Sequence, residues 1–192
     1  RNLREGGFRG PVFYVNPRHA SIGDEPSYPD VRSLPQAVDV AIIATPPPTL
    51  PAILEHCGVR GVRGAIIVSA GFREGGEEGA TCESTMLQVA RRYGLRLLGP
   101  NSFGVIRTDD GFNASCGAAL PQPGRLALVS QSSALCAAEG CVAIWYQCSS
   151  RCVSSATHCS AEASGPSASS AGVAPDASRF RRPRTLVASL PG

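Results

Sequence analysis

The sequence predicts an α/β fold in which parallel strands alternate with helices, and three observations support this. Short runs of β-branched and aliphatic residues recur along the first two thirds of the chain, helical stretches lie between them, and turns rich in Gly, Pro and Asn separate the two. The apolar fraction is 43%, enough to cover a sheet on both faces. Strand-helix-strand repetition implies right-handed crossovers, so we expect a doubly wound parallel sheet.

Five strands are predicted from the apolar runs. The second run is nearly all apolar, which is typical of a parallel strand buried on both faces. The others are bounded by the small, hydroxylated, Gly and Pro residues that turn a chain. The predicted strands are residues 12–15, 39–45, 64–69, 95–99 and 125–130.

Two helices are predicted between these strands. The first covers residues 50–57, with Thr49 as its N-cap and Pro51 in the first turn, where a missing N–H costs little. The second covers residues 77–93, carries apolar residues near one face, and has Gly94 as its C-terminal stop.

The beginning of the chain differs from the usual start of such a domain. Residues 2–7 resemble the last turn of a helix that ends in glycines, and no strand with a Gly-rich turn precedes them. We therefore expect a sheet that lacks its first strand, with an open edge that exposes apolar surface. An Arg at position 1 favours a fragment, and a natural N-terminal helix is the alternative.

Charge and cysteines divide the chain into two parts. All 18 basic residues are Arg, and residues 1–140 carry 13 Arg and 13 acidic residues, whereas residues 141–192 carry five and two. A neutral front part argues against a uniformly basic nucleic-acid-binding fold. No apolar run approaches the length of a membrane span, and no signal peptide is recognisable, so we expect a cytoplasmic protein.

Ligands of open parallel sheets bind at the carboxyl ends of the strands. Small, hydroxylated, Gly and Pro residues follow all five predicted strands, and Arg18 and His19 add positive charge at this rim. Such turns allow a close approach of backbone to a ligand, which suits an elongated phosphorylated molecule such as a nucleotide or coenzyme A. The alternative is that these residues simply turn the chain.

The same turns carry a resemblance to a known family. Residues 3–136 resemble the coenzyme A-binding part of the nucleoside-diphosphate-forming acyl-CoA synthetases, relatives of the succinyl-CoA synthetase α subunit. A Gly-Pro-Asn-x-x-Gly motif followed about 25 residues later by Ser-Gln-Ser is fairly specific as a pair. The matching segments are residues 15–18, 44–46, 68–72, 99–104 and 129–132.

The resemblance implies roles for individual residues. Arg18, or less surely His19, matches the basic position that meets the coenzyme's phosphates and adenine. A later turn that supports the same part of the coenzyme corresponds to Val68, Ser69 and Ala70. The pantetheine arm would pass Thr45 and Pro46, and its inner end would meet Asn101.

The resemblance also implies a domain boundary. Residues 1–122 match the Rossmann-like coenzyme A-binding domain, and residues 123–140 match the start of a flavodoxin-like second domain. In that second domain a helix start, here Ser130, Gln131 and Ser132, holds the phosphate of a phosphohistidine. Ser133 stands where the family has Gly, so its side chain would crowd the phosphate.

None of the three histidines matches the phosphohistidine of the family. We therefore expect no catalysis by this chain alone, and we expect it to act with the remaining ligase domains or an ATP-grasp subunit. A different class of function is a regulatory ligand-binding domain fused to an N-acetyltransferase of the GNAT type. A third interpretation is an inert fragment.

Residues 141–192 form a tail of different composition. They contain 11 Ser and 9 Ala, with few apolar residues after Val153, so we expect disorder. The abrupt change inside a helix and the all-Arg basic content suggest a frame-shifted reading of a GC-rich coding sequence. The Cys and His spacing of the tail fits no common zinc site, and no metal is expected.

Overall fold

A computed structural model describes residues 1–117, 121–123, 127–130, 132–138, 144–146 and 186–189 of the 192-residue chain. Its helices are α1 (Asn2–Glu5), α2 (Leu50–Val59), α3 (Glu77–Tyr93) and α4 (Ser133–Ala138). Its strands are β1 (Val12–Val15), β2 (Ser21–Ile22), β3 (Glu25–Tyr28), β4 (Val40–Ile43), β5 (Gly64–Ile67), β6 (Arg96–Leu98), β7 (Gly104–Arg107), β8 (Phe112–Ser115), β9 (Ala127–Val129), β10 (Ile144–Tyr146) and β11 (Leu186–Ser189). Each predicted strand and helix contains or overlaps an observed one of the same kind.

Seven strands form the main sheet, in the order β2-β3-β1-β11-β4-β5-β6. All neighbours pair in parallel except β2 and β3. On one side of β11 lie β1 and then the β2–β3 hairpin, which joins β1 through β3, and on the other side lie β4, β5 and β6 in chain order. The winding therefore reverses at β11, and the prediction of a doubly wound, Rossmann-like α/β fold is confirmed.

The position between β1 and β4 is filled by a segment distant in sequence. Leu186–Ser189 pairs in parallel with both strands, with Val187 opposite Phe13 of β1 and Ala41 of β4. The expected open edge is wrong, because β11 pairs with both flanking strands. The structure also has strands at Ile144–Tyr146 and Leu186–Ser189, where a disordered tail was expected. The remainder of that tail lies outside the described residues.

Both faces of the main sheet are covered. On one face, Ile43 and Ile67 join a buried cluster with Met86 of α3, and α2 contributes to the same cluster. On the other face, Ile66 packs with Phe112 of the β7–β8 hairpin, and α1 lies against this second cluster. Burial of alternate residues on opposite faces explains why the strand sequences are almost wholly apolar.

The predicted end of α3 and the predicted start of α2 can be compared with the structure. Gly94 ends α3 in the left-handed conformation, as predicted. Thr49 occupies the N-cap position of α2, as predicted, but its side chain makes no capping hydrogen bond, because its hydroxyl is directed to the hydroxyl of Thr45 and the carbonyl of Pro46. In the part of the chain that the structure describes, no helix is long and apolar enough to cross a membrane.

A second, four-stranded sheet follows, in the order β8-β7-β10-β9. Strand β9 belongs to the predicted second domain, yet it is joined through β10 to the hairpin of the predicted first domain. The boundary at residues 122–123 stays a prediction.

The cysteines of the described residues differ in burial, so we expect them to differ in reactivity toward alkylating reagents. Cys57 of α2 is fully buried, and burial raises the pKa of its thiol to about 12, whereas Cys116 is exposed. Since the thiolate is the nucleophile, iodoacetamide at pH 8 should alkylate Cys116 and leave Cys57 unmodified in the native protein, as peptide mass mapping would measure. Alkylation of both at similar rates would contradict the burial of Cys57.

The same raised pKa of Cys57 predicts a dependence of stability on pH. The pKa of the Cys57 thiol is higher in the folded than in the unfolded protein. The contribution of the neutral thiol to the free energy of unfolding is therefore fully present below the unfolded pKa and is lost as pH rises toward the folded value of about 12. The melting temperature of Cys57→Ala should therefore fall less steeply above pH 9 than that of the unchanged protein.

Candidate functional site

The turns that follow β1, β4, β5 and β6 lie along one edge of the main sheet, because these strands are parallel. Hydrogen bonds and close packing join neighbouring turns. The N–H of Asn101 donates to the carbonyl of Ser69 at 2.8 Å, and a Cβ placed on Gly71 would lie 3.4 Å from the ring of Pro47. The turns after β4, β5 and β6 are thus joined directly, and the turn after β1 lies at the same end of the sheet on the other side of β11; we call these four turns the carboxyl edge.

The fifth predicted turn does not belong to this edge. Ser130 and Ser132 follow β9, which is a strand of the second sheet. The hydroxyl of Ser130 accepts the N–H of Ser132 at 3.0 Å, and Gln131 lies outside the described residues. The strand ends therefore do not all meet at one rim, because β9 pairs through β10 with the hairpin rather than with β6.

The turn after β1 combines a buried amide with exposed cationic side chains. Asn16 is 2% exposed, and its Oδ1 accepts the N–H of Arg18 at 2.8 Å. The Nδ2 of Asn16 is buried and has no hydrogen-bond partner among the described residues. Arg18 and His19 are both exposed, and within the same residues neither side chain forms an ion pair. A buried donor without a partner is costly, so this position favours an acceptor supplied by a ligand.

The turn after β4 is poor in hydrogen-bond donors. Thr45 is 9% exposed, and its hydroxyl accepts that of Thr49 at 2.8 Å. Residues 46–48 and Pro51 are prolines without N–H groups, so the start of α2 cannot present the ring of amides that binds an anion. This corrects the expectation that helix starts along the edge point N–H groups at a ligand. The turn instead offers an apolar surface.

The turn after β5 carries negative charge. The carboxylate of Glu74 accepts the N–H of Gly71 at 2.8 Å, and hydrogen bonds from the backbone N–H groups of Glu74 itself and of Gly71 lower its pKa. Glu77 and Glu78 lie in the first turn of α3. A phosphate near this turn would therefore meet three carboxylates. Arg73 does not offset them for a ligand, because it is bound to the buried Glu83 at 3.0 Å.

Within the same turn, exposure increases from Val68 to Ala70. Val68 and Ser69 are half-buried, and Ala70 is exposed. The hydroxyl of Ser69 is buried and has no hydrogen-bond partner among the described residues. Together with Asn16, this places two unpartnered buried polar groups on the carboxyl edge.

The turn after β6 is held tightly by backbone contacts. Gly99 has φ +101°, and Asn101 has φ +52° and is exposed. The N–H of Ser102 donates to the carbonyl of Ile67 at 3.1 Å, and the Ser102 hydroxyl accepts the N–H of Gly104 at 3.0 Å. Asn101 is thus presented from a rigid support at the end of the edge that is farthest from Arg18.

Sequence reasoning missed Asn16 as a site residue. Its motif was recognised, but only Arg18 and His19 were assigned a contact there. The signal was present, because an amide directly after a buried strand and before a proline has few local partners. Glu74 was also missed, since nothing in the sequence indicates which backbone amide a surface carboxylate will accept. Among the described residues, no group of three His, Cys, Asp or Glu side chains is arranged to hold a metal ion.

Comparison with known proteins finds relatives that share the sequence of this domain. The family model for the CoA binding domain matches residues 1–108. The acetate–CoA ligase [ADP-forming] I of Archaeoglobus fulgidus is 45% identical over 134 residues, which are 70% of this chain and 19% of that protein. The α subunit of acetate–CoA ligase [ADP-forming] I of Pyrococcus furiosus is 42% identical over 139 residues, 70% of this chain and 30% of that one.

Solved structures show the same likeness. The apo form of dinucleotide forming acetyl-coenzyme A synthetase 1 of Ca. Korarchaeum cryptofilum superposes with a TM-score of 0.71 at 30% identity, covering 79% of this chain and 34% of that chain. The fold thus defines a Rossmann-like α/β domain. The chain belongs to the coenzyme A-binding domain family, as its resemblance to the acyl-CoA synthetases indicated. It spans about a fifth of the length of the A. fulgidus ligase.

Proposed function

We propose that the carboxyl edge binds coenzyme A, with the phosphates at the turn after β1 and the pantetheine arm directed toward the turn after β6. The observation that carries this proposal is the buried Nδ2 of Asn16, which has no hydrogen-bond partner among the described residues, beside the exposed Arg18, which forms no ion pair with them. Family membership and the names of the relatives, which are CoA ligases, support the identity of the ligand.

The distribution of charge supports the proposed direction of the coenzyme. Arg18 and His19 stand at one end of the edge, whereas Glu74 and the acidic first turn of α3 stand beyond the turn after β4. Phosphates are therefore favoured near β1 and disfavoured near α3. The uncharged pantetheine arm suits the apolar surface at Thr45 and Pro46, which has almost no N–H groups to satisfy.

Contacts at the remaining predicted residues follow from this direction. The hydroxyl of Ser69 is unpartnered and can hydrogen-bond a ligand, with Val68 and Ala70 forming the adjoining surface. Asn101 is exposed on a rigid turn and would meet the inner end of the arm. His19 is exposed in the same turn as Arg18 and would adjoin the phosphate site.

For the longer protein, we propose an ADP-forming acyl-CoA ligase of the acetate–CoA type. The relatives carry that name, and one of them is an α subunit, which supports a role for further domains or a partner subunit. In that reaction Ser130, Gln131 and Ser132 would hold a phosphate, and the present chain would supply coenzyme A binding without completing the transfer.

Arg18→Ala should weaken coenzyme A binding about five- to tenfold, because an exposed cation on a phosphate contributes about 1 kcal/mol. Isothermal titration calorimetry of the full chain would measure the dissociation constant. The loss should shrink as ionic strength rises, because salt screens exposed charge.

Arg9→Ala is the matched control for this substitution. Arg9 is also exposed and unpaired among the described residues, but it precedes β1 and so lies at the amino end of the strand. Its removal should leave the dissociation constant within about twofold. Equal effects of the two variants would reject the assignment of the phosphates to Arg18.

A further inference from the structure

Glu83 is a buried carboxylate to which the proposed coenzyme A site assigns no role. It lies in the second turn of α3, and 6% of the residue is exposed. Within the described part of the chain, its carboxylate accepts a hydrogen bond from Nε of Arg73 at 3.0 Å. A buried ion pair seldom adds stability over apolar side chains of similar volume, so we looked for a role of this pair other than stability.

Arg73 belongs to a short segment that the backbone alone does not fix. The 3-10 turn Arg73–Gly75 joins the carboxyl end of β5 to α3, and the buried Phe72 anchors its beginning in the core. Glycines lie on both sides of the turn, because Gly71 and Gly76 have φ of +94° and +96°. Glycine adopts many backbone conformations, so the orientation of the turn depends on the hydrogen bonds of its side chains.

Two side chains of this turn bind neighbouring parts of the structure. Arg73 is bound to Glu83 of α3, and the carboxylate of Glu74 accepts the N–H of Gly71 at 2.8 Å. A Cβ on Gly71 would lie 3.4 Å from the ring of Pro47, so the turns after β4 and β5 meet here. The contacts therefore run in one series from α3, through the 3-10 turn, to the carboxyl edge.

We propose that Glu83 is a positioning residue for the coenzyme A site: through Arg73 and Glu74 it fixes the turn after β5 against Pro47, along the path of the pantetheine arm. The part that concerns the ligand rests on the function proposed above. The part that concerns the turn does not. Glu83 acts through these other residues, since its own side chain is buried.

Glu83→Met separates positioning from stability. Methionine has a similar length without the charge, and Arg73, whose side chain is 49% exposed, can be solvated once it is released. The variant should therefore melt at the same temperature as the unmodified chain or higher. Its dissociation constant for coenzyme A, measured by calorimetric titration of the full chain, should rise at least about fivefold, the worth of about one hydrogen bond.

Two results with Glu83→Met would overturn the proposal. A variant that melts lower or fails to fold would show that the ion pair serves stability. An unchanged dissociation constant, in a chain that binds coenzyme A, would show that the position of the turn does not matter to the ligand.

The nucleotide half of coenzyme A shows which part of the ligand is affected. Adenosine 3′,5′-bisphosphate lacks the pantetheine arm, so its dissociation constant should change less than about twofold in Glu83→Met, because the phosphates are proposed to bind at the turn after β1. An equal loss of affinity for both ligands would overturn the assignment of Glu83 to the pantetheine path.

Further variants test whether Glu83 acts through the turn. In high salt, which screens exposed charge, adding Arg73→Ala to Glu83→Met should weaken binding no further, because both substitutions break the same contact. Glu74→Ala should weaken coenzyme A binding at least about threefold, although removal of a negative charge by itself favours an anionic ligand. An additive loss in the double variant, or tighter binding by Glu74→Ala, would overturn the proposal.

Arg92→Ala is the matched control for these variants. Arg92 also forms an ion pair on α3, with Glu55 at 3.2 Å, but it lies at the opposite end of the helix from Glu83 and the carboxyl edge. Its removal should leave the dissociation constant for coenzyme A within about twofold. A loss equal to that of Glu83→Met would show that any ion pair of α3 has this effect, and would overturn the specific role of Glu83.

Hydrogen exchange of the Gly71 amide, followed by NMR, tests the hold on the turn without any ligand. The amide should exchange at least about tenfold faster in Glu83→Met than in the unmodified chain, because Glu74 is no longer held beside it. Equal rates would overturn the proposal even if the unmodified chain binds coenzyme A. If the unmodified chain binds no coenzyme A but Gly71 responds in this way, the proposed function fails and the positioning of the turn stands.

Discussion

Replacing Phe72 by alanine should lower the free energy of unfolding by about 3–5 kcal/mol, the usual cost of removing a buried phenylalanine ring. Phe72 is completely buried and belongs to the cluster beneath α2 and α3. It also ends the turn after β5, so its ring fastens the Ser69–Gly71 part of the carboxyl edge to the core. Such a loss is a large share of the stability of an ordinary domain, about 5–15 kcal/mol.

Urea unfolding followed by far-ultraviolet circular dichroism would measure the loss at Phe72. Val59→Ala is the control, because Val59 is an apolar residue that is 64% exposed, and its truncation should change stability by no more than about 0.5 kcal/mol. Phe72→Leu keeps most of the apolar volume and should fall between the two. A loss below about 1 kcal/mol for Phe72→Ala would contradict the burial of the ring.

Gly99→Ala should cost at least about 3 kcal/mol, because two separate penalties act at this position. Its φ of +101° is one that residues with a Cβ rarely adopt. A Cβ there would also overlap the carbonyl oxygen of Ile67 and lie 3.2 Å from the Cβ of Ser102. Relief requires movement of the turn that presents Asn101, so coenzyme A affinity should fall as well.

Gly61→Ala separates the two penalties. Gly61 also has positive φ, +72°, but a Cβ there would have no atom within 4 Å. Only the backbone penalty applies, so we expect a loss of about 1–2 kcal/mol and unchanged coenzyme A affinity. Equal losses of stability for the two variants would show that the close approach to Ile67 is not rigid.

The sheet strands and the two main helices could be predicted because their signals are local. A buried parallel strand such as β4 is apolar throughout, and α3 carries both its apolar stripe and its glycine stop within its own sequence. The two-residue loop of the β2–β3 hairpin, Gly23 and Asp24, is also a local signal, and it was overlooked. Thr49 was correctly placed at the N-cap of α2, but its hydroxyl contacts Thr45 and Pro46 instead of a helix N–H, which the sequence did not indicate.

The candidate site was predictable in its position and less so in its chemistry. Because parallel strands end at one edge, Arg18, Thr45, Ser69 and Asn101 were expected to share a surface, and they lie on the carboxyl edge. The unpartnered amide of Asn16 and the acidic character near Glu74 depend on which neighbours come within hydrogen-bond distance. The binding roles of these residues stay predictions until the variants are measured.

The amino-acid sequence alone was sufficient for the α/β class, the strand runs and the resemblance to the acyl-CoA synthetases, because each depends on residues that are close together in the chain. Only the tertiary structure decided that β9 joins a second sheet and that Leu186–Ser189 lies between β1 and β4. Strand pairing is made by backbone groups that every residue carries, so a sequence does not state which distant segment will complete a ladder.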